Sequence, residues 1–273
     1  MEKQIPFKQK ELSYEVLGDG PPVMLIHGFG EDRRIWKDLS MHLSTQWMVI
    51  CPDLPGSGKS PLPENVDAYR QMDDFAAALL EILQAEGIAS ATMIGHSMGG
   101  YITLAFAEKY PERLNAMGLF HSTAMPDGPE KIQARERGIE FTRANGAGRF
   151  LSQAIPNLYG AVYTKRHADE ITAHIALAQS FTDQAIIVYY QAMMRRPDRR
   201  SVLQTFAKPV LFIMGEEDKT VHLQETLSQS YLPKESHVHI WKEVAHMGMK
   251  ENPEATNAVL SVFLWHVNEN LGE

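Results

Sequence analysis

Short, continuously apolar runs recur along this chain, and they restrict it to one kind of sheet. Val23 to Ile26, Trp47 to Cys51, Ala91 to Ile94, Ala116 to Phe120 and Pro209 to Met214 carry almost no polar residue, as a strand does when both its faces are covered. Helical spacing fills the intervals between the first four. Ile35, Trp36, Leu39 and Leu43 lie in the first interval, and Phe75, Leu79, Ile82 and Leu83 in the second, on a helix expected from Asp67 to Glu86. A third helix runs from Tyr101 to Tyr110 and is stopped by Pro111. Covered strands alternating with helices predict a parallel sheet with right-handed crossovers. Leu12 to Leu17, ahead of Gly18-Asp19-Gly20-Pro21-Pro22, reads as a strand and turn at one end, and His237 to Trp241 as a strand at the other. Val221 to Ser230 and Pro253 to Val267 complete the expected helices.

The rhythm lapses once. Between Ser122 and Phe206 no strand-like run appears apart from an ambiguous Ile186 to Tyr190, and the rest reads as helices separated by Pro126, Gly146, Gly148, Pro156, Gly160 and Pro197. The expected organisation is a sheet core from residues 1–121 and 207–273, with a helical insertion over 122–206. Composition narrows the class further. With 273 residues, 44% hydrophobic and 22% charged, the chain is long enough to bury a sizeable core. A net charge of −8 gives no reason to expect a nucleic acid or an anionic membrane as partner. The single cysteine, Cys51, excludes an internal disulfide and a multi-cysteine zinc site, and fits a reducing compartment. No apolar stretch matches a secretory leader or the roughly 18 residues of a membrane span, so a cytoplasmic soluble protein is expected.

The chemistry concentrates at Gly95-His96-Ser97-Met98-Gly99-Gly100, where an apolar run stops at a glycine-flanked serine and a helix starts at once. A hydroxyl on so tight a strand-to-helix turn stands above the sheet end. The flanking Gly95 and Gly99 remove Cβ atoms that would collide. The bare pattern is expected by chance about 0.1 times in a chain of this length, so it needs partners. Ligands bind beyond the carboxyl ends of the strands in an open parallel sheet, which is where a base and an acid must lie. After Met214 come Glu216, Glu217 and Asp218, and after Trp241 comes His246. The order is nucleophile, acid, base.

That order, with the glycine–serine turn, resembles the α/β-hydrolase family. The resemblance spans nearly the whole chain: His27-Gly28-Phe29-Gly30 with Trp36, Asp53-Leu54-Pro55-Gly56 with Gly58 and Ser60, the serine turn, Gly215 with Asp218, and His246 ahead of Glu251-Asn252-Pro253. It implies an α/β fold with a mostly parallel eight-stranded sheet, helices on both faces and a helical cap inserted after strand 6. It also implies a Ser97–Asp218–His246 triad, with the backbone N–H groups of Phe29 and Met98 as the oxyanion hole. The residue chemistry fits. Ser97 needs a base to take its proton, imidazole titrates near neutrality, and a carboxylate would orient His246. Glu216, Glu217 and the more distant Asp127 remain rivals of Asp218 for the acid. His121, ending a strand, is a candidate substrate contact. His27 and His96 read as scaffold or pocket wall, and His222, His237, His239 and His266 as ordinary histidines.

Other chemistries lack their residues. Gly58-Lys59-Ser60 mimics the end of a phosphate loop, but Asp53 stands where that motif needs glycine and Pro55 removes an N–H. No His-Glu-x-x-His or Gly-x-Gly-x-x-Gly pattern implies a metal or a dinucleotide, so no cofactor is expected. The expectation is therefore a serine hydrolase that cleaves carboxylic esters of small, largely apolar molecules through an acyl-enzyme. A carbon–carbon bond hydrolase and a slow, hydrolase-like binding protein are the alternatives. Phe141, Ile155, Tyr159, Phe181, Tyr190, Met193 and Met194 are apolar residues of the insertion that fit its core as well as a pocket. Oligomeric state is open at this level.

Overall fold

A computed structural model describes residues 1–271. Its strands are β1 (Glu2–Phe7), β2 (Lys10–Leu17), β3 (Pro22–Ile26), β4 (Met48–Pro52), β5 (Ala91–His96), β6 (Leu114–Phe120), β7 (Val210–Gly215) and β8 (Ser236–Trp241). They form one sheet in the order β1-β2-β4-β3-β5-β6-β7-β8. Strand β2 runs antiparallel to β1 and β4, and every later pairing is parallel. This is the α/β architecture expected, with eight strands.

Burial follows position in the sheet. Every residue of the inner strands β5 and β7 is buried, whereas the edge strands β1 and β8 alternate between covered and open positions. That alternation explains why β1 escaped the sequence reading, which began its first strand at Leu12. Glu2–Phe7 holds only the short Ile5-Pro6-Phe7 after three polar residues, and its partner β2 completes it through pairs such as Ile5 with Leu12.

Helices α1 (Lys37–Leu43), α2 (Met72–Ala85) and α3 (Met98–Lys109) fill the connections between β3 and β6. Two expected helices are split by their caps. Asp32 accepts from the Arg34 N–H and starts a 3₁₀ turn over Arg33–Trp36 before α1. Val66–Tyr69 is a separate 3₁₀ turn before α2, where the Asp74 carboxylate accepts from the N–H groups of Arg70 and Gln71. The stripe of Phe75, Leu79, Ile82 and Leu83 is buried as its spacing required.

Between β6 and β7 lie α4 (Pro129–Asn145), α5 (Ala147–Ala154), α6 (Ala161–Arg166), α7 (Ala168–Ala178), α8 (Asp183–Met194) and α9 (Arg200–Thr205), with no strand. The ambiguous Ile186 to Tyr190 belongs to α8, whose first turn is capped by the Thr182 hydroxyl on the Ala185 N–H. Beyond β7, the helix expected from Val221 to Ser230 shortens to α10 (Leu223–Leu227), followed after β8 by α11 (Gly248–Glu251) and α12 (Pro253–Leu271). Among the described residues no helix is long and apolar enough to cross a membrane.

A severe packing constraint sits where β5 becomes α3. A Cβ on Gly95 would lie 2.3 Å from the Gly99 carbonyl carbon, and one on Gly99 would lie 2.3 Å from the Ile26 carbonyl oxygen. Both obstacles are backbone, which cannot swing aside. Gly99→Ala is therefore expected to cost about 3 kcal/mol or more, lowering Tm by roughly 6–12 °C in a chain of this size. Thermal unfolding followed by circular dichroism checks this, and a Tm within about 2 °C of the parent would contradict it.

Candidate active site

Because β3, β5, β6, β7 and β8 are parallel, the residues just past their ends gather at one edge: Phe29, Ser97, His121, Asp218 and His246. Ser97 occupies the turn with φ 51° and ψ −114°, a conformation rare for a residue with a side chain. Its N–H donates to the Phe120 carbonyl at 2.9 Å, and its carbonyl accepts from the Ser122 hydroxyl at 2.7 Å. Those bonds hold the strained backbone from both sides. His121 and Glu243 also have positive φ, at 48° and 57°. Unusual backbone thus collects just past the ends of β5, β6 and β8.

The acid and base meet as the strand ends suggested. His246 Nδ1 lies 2.8 Å from Asp218 Oδ2. The other Asp218 oxygen accepts from the N–H groups of Thr220 and Val221 at 2.8 and 2.9 Å. Burial opposes ionisation of Asp218, but the two imidazoles beside it, His246 foremost through its hydrogen bond, outweigh it and hold the carboxyl well below the usual carboxylate range. The rival acids are engaged elsewhere: Glu216 is exposed, Glu217 accepts from the Ala161 N–H, and Asp127 pairs with Arg135 and Arg196. His246 Nε2 makes no hydrogen bond among the described residues, nor does Ser97 Oγ. Contacts between such groups often tighten only when substrate arrives. Likewise, neither the Phe29 nor the Met98 N–H has a partner among the described residues.

His121 does not meet the expectation of a substrate contact. Its buried ring lies beneath the acid, with Nδ1 3.3 Å from Asp218 Oδ2, and it is not on the cavity wall. At that distance it feels the carboxylate, yet the geometry makes no hydrogen bond and both ring nitrogens lack a partner. Burial outweighs the carboxylate and pushes its pKa down to about 4, so it is neutral at neutral pH. Its strand-end position was legible in the sequence. The direction of the ring was not.

A further layer of polar contacts centres on His96, which lines the cavity as the sequence suggested, and on Glu31, which the sequence did not single out. Glu31 accepts from the Gly28 N–H at 2.7 Å and contacts His96 Nδ1 at 3.0 Å, while His96 Nε2 reaches the carbonyl of His246 at 2.9 Å. One carboxylate thereby ties the Phe29 loop, β5 and the His246 loop together. Burial disfavours the Glu31 charge, but His96 overcomes it and holds the carboxyl at about 2, and Glu31 in turn raises His96. Behind His246, Glu251 accepts from the N–H groups of Ala245, Met247 and Gly160. His27 is scaffold, linked to Leu54 and Ser57.

Ser97 and His246 open onto one cavity of about 300 Å³. The insertion supplies its other wall, including Arg135, Leu151, Ile155, Tyr190 and Met193. Tyr159 instead contacts His174, and Phe181 packs on Tyr189, so the aromatic residues of the insertion divide between wall and core. Two groups among the described residues bring three metal-type donors together, His121–Asp218–His246 and the half-buried Glu235–His237–His266. In the first, Asp218 Oδ2 already serves His246, and no residue of the second lines the cavity.

Known proteins agree with this architecture. A family model described as the alpha/beta hydrolase fold matches residues 21–170. The structure of a thermophilic esterase from Thermogutta terrifontis is similar with a TM-score of 0.90 and 28% identity, covering 98% of this chain and 99% of that one. A pimeloyl-[acyl-carrier protein] methyl ester esterase of Neisseria meningitidis is 28% identical over 254 residues, 89% of this chain and 92% of that protein. Lipase 3 of a Moraxella species is 28% identical over 247 residues, 85% of this chain and 73% of that protein. A polar edge built from a strained serine turn and a buried aspartate–histidine pair, on this sheet and with these relatives, has one reading: the chain belongs to the α/β-hydrolase family and is a hydrolase.

Proposed function

We propose that this hydrolase cleaves carboxylic esters of small molecules through an acyl-enzyme, with Ser97 as nucleophile, His246 as base and Asp218 as the residue that orients it. The observation that carries this reading is the 2.8 Å contact of Asp218 with His246 Nδ1. It fixes the tautomer, so that Nδ1–H donates to the acid and Nε2 is left as the acceptor on the cavity side. The esterase and lipase names of the relatives favour an ester over a carbon–carbon bond.

The steps follow from this placement. Ser97 Oγ attacks the ester carbonyl as its proton passes to His246 Nε2, and the resulting oxyanion is held by the Phe29 and Met98 N–H groups. The imidazolium returns the proton to the departing alcohol as the C–O bond breaks. Water then loses a proton to His246, adds to the acyl carbon, and the acid leaves as Ser97 regains its hydrogen. The Glu31–His96 link keeps the oxyanion loop and the His246 loop in register through these steps. Residues 122–206 act as a cap that closes the cavity from water and sets its length.

A fluorophosphonate probe tests the nucleophile, and its label is expected on Ser97. Label that persists in Ser97→Ala would place the nucleophile elsewhere. Ser97→Ala and His246→Ala are each expected to lower kcat by up to about 10⁶, and Asp218→Asn by about 10⁴. The cavity lies at the small end of ligand pockets. Across 4-nitrophenyl esters, kcat/KM is therefore expected to peak between four and eight acyl carbons and to fall at least roughly tenfold at sixteen. A maximum at sixteen carbons would contradict the cavity argument.

A further inference from the structure

One wall of the cavity carries charge that the reaction above does not use. Arg135, on α4, bonds Asp127 through Nε at 2.6 Å and Nη2 at 3.3 Å, and Arg196, just past α8, reaches the same carboxylate through Nη1 at 2.8 Å. Asp127 is wholly buried, Arg196 is 3% exposed and Arg135 12%. Two guanidinium groups thus share one carboxylate, and no other acid pairs with either among the described residues. The remaining neighbours are neutral. Arg196 lies 4.0 Å from the centre of the Tyr101 ring and bonds the carbonyls of Met125 and Met193, and Arg135 stands 5.4 Å from the Tyr190 ring.

A positive charge is left over in a place that water barely reaches. Buried charge without a counter-ion is costly, so a site that keeps one is suited to receive an anion. The donors for it are present. With Nε and Nη2 committed to Asp127, Arg135 Nη1 has no partner among the described residues, and Arg135 lines the same cavity as Ser97 and His246. Arg196 Nη2 also has no partner, but it is fully buried and Arg196 does not line the cavity, so Arg135 is the group that faces it. The one carboxylate among the residues lining the cavity, Glu31, is already occupied by His96 and the Gly28 N–H, so it does not neutralise this end. Contacts lead from the arginine to the reacting centre. Arg135 lies against the Tyr190 ring, and Tyr190 stacks at 4.4 Å on Phe29, whose N–H faces the oxyanion in the mechanism above.

We propose that the ester this protein hydrolyses carries a carboxylate, which Arg135 holds in the cavity while Asp127 and Arg196 fix the direction of its guanidinium. The chemical class is a half-ester of a dicarboxylic acid. Water adds OH to the ester carbon and H to the departing alcohol, and the remote carboxylate is unchanged. The proposal rests on the reading of Ser97 as nucleophile.

The test compares the monomethyl and dimethyl esters of glutaric and adipic acids, which differ in one charge, with acid release followed by chromatography. The parent protein is expected to favour a monomethyl ester by about tenfold or more in kcat/KM. Arg135→Gln is expected to lower that ratio by about 30-fold, mostly through KM, in line with the loss of a charge-assisted hydrogen bond. Arg135→Lys, which keeps the charge, is expected to restore part of it. A parent protein that prefers the dimethyl ester of both acids overturns the proposal, as does a ratio unmoved in a folded Arg135→Gln protein. Should that variant not fold, protection of the parent decides. Adipate is expected to slow fluorophosphonate labelling of Ser97 more than 1,6-hexanediol does, and equal rates overturn the proposal. Failure of the hydrolase reading shows separately, as absence of label on Ser97. Calorimetric titration of adipate into the parent and into Arg135→Gln then reads the anion site alone, and equal affinities overturn it.

Discussion

The structure depends on one unfavourable stretch of backbone made tolerable by its neighbours. Ser97 sits at φ 51°, a conformation that costs of order 1–3 kcal/mol for a residue with a side chain. It persists because β3, β5 and α3 approach so closely that the turn has no room to relax. Gly95, Gly99 and Gly100 permit that approach. A Cβ on any of them would meet an atom within 2.3 Å. The ten residues Met98 to Ala107 at the start of α3 are all buried, so the helix anchors the turn through packing rather than through a cap. The same geometry that strains the serine raises its hydroxyl onto the cavity.

Around that turn, carboxylates do positioning work from behind. Asp218 uses one oxygen for His246 and the other for two backbone N–H groups, so the histidine finds a carboxylate already fixed in direction. Glu31 joins the Phe29 loop to the His246 loop through His96, and Glu251 clamps the segment from Ala245 to Met247. Asp218 and Glu31 are buried and surrounded by donors, so their charge is sustained by hydrogen bonds in place of water, whereas Glu251 is only half-buried. Loops that connect five strand ends are mobile by default. Here the polar network holds them, and the sheet beneath stays apolar.

The insertion completes the site without adding a strand. Its helices bring one set of side chains to the cavity wall and another to their own core. Tyr190 and Tyr189 are adjacent in sequence yet take different roles: Tyr190 stacks on Phe29 at the wall, and Tyr189 is fully buried and donates to the Pro55 carbonyl. Arg135 and Arg196 lie 61 positions apart and meet only on Asp127. Charge in this part of the molecule is a property of the packed insertion and not of any segment in it.

The sequence alone determined the alternation of covered strands and helices, the glycine-flanked serine turn, and the succession of Ser97, Asp218 and His246 past three strand ends. These are local facts, because burial on both faces, turn geometry and strand ends each leave a mark within a few residues. The edge strand Glu2–Phe7 left a weaker mark, since only half its face is covered and its partner supplies the rest. Tertiary structure decided which of Glu216, Glu217 and Asp218 meets His246, that the His121 ring turns beneath the acid and away from the cavity, and that Glu31 reaches His96 across 65 positions. Such choices depend on where side chains from distant segments point once the core has closed, and no spacing along the chain records a direction in space.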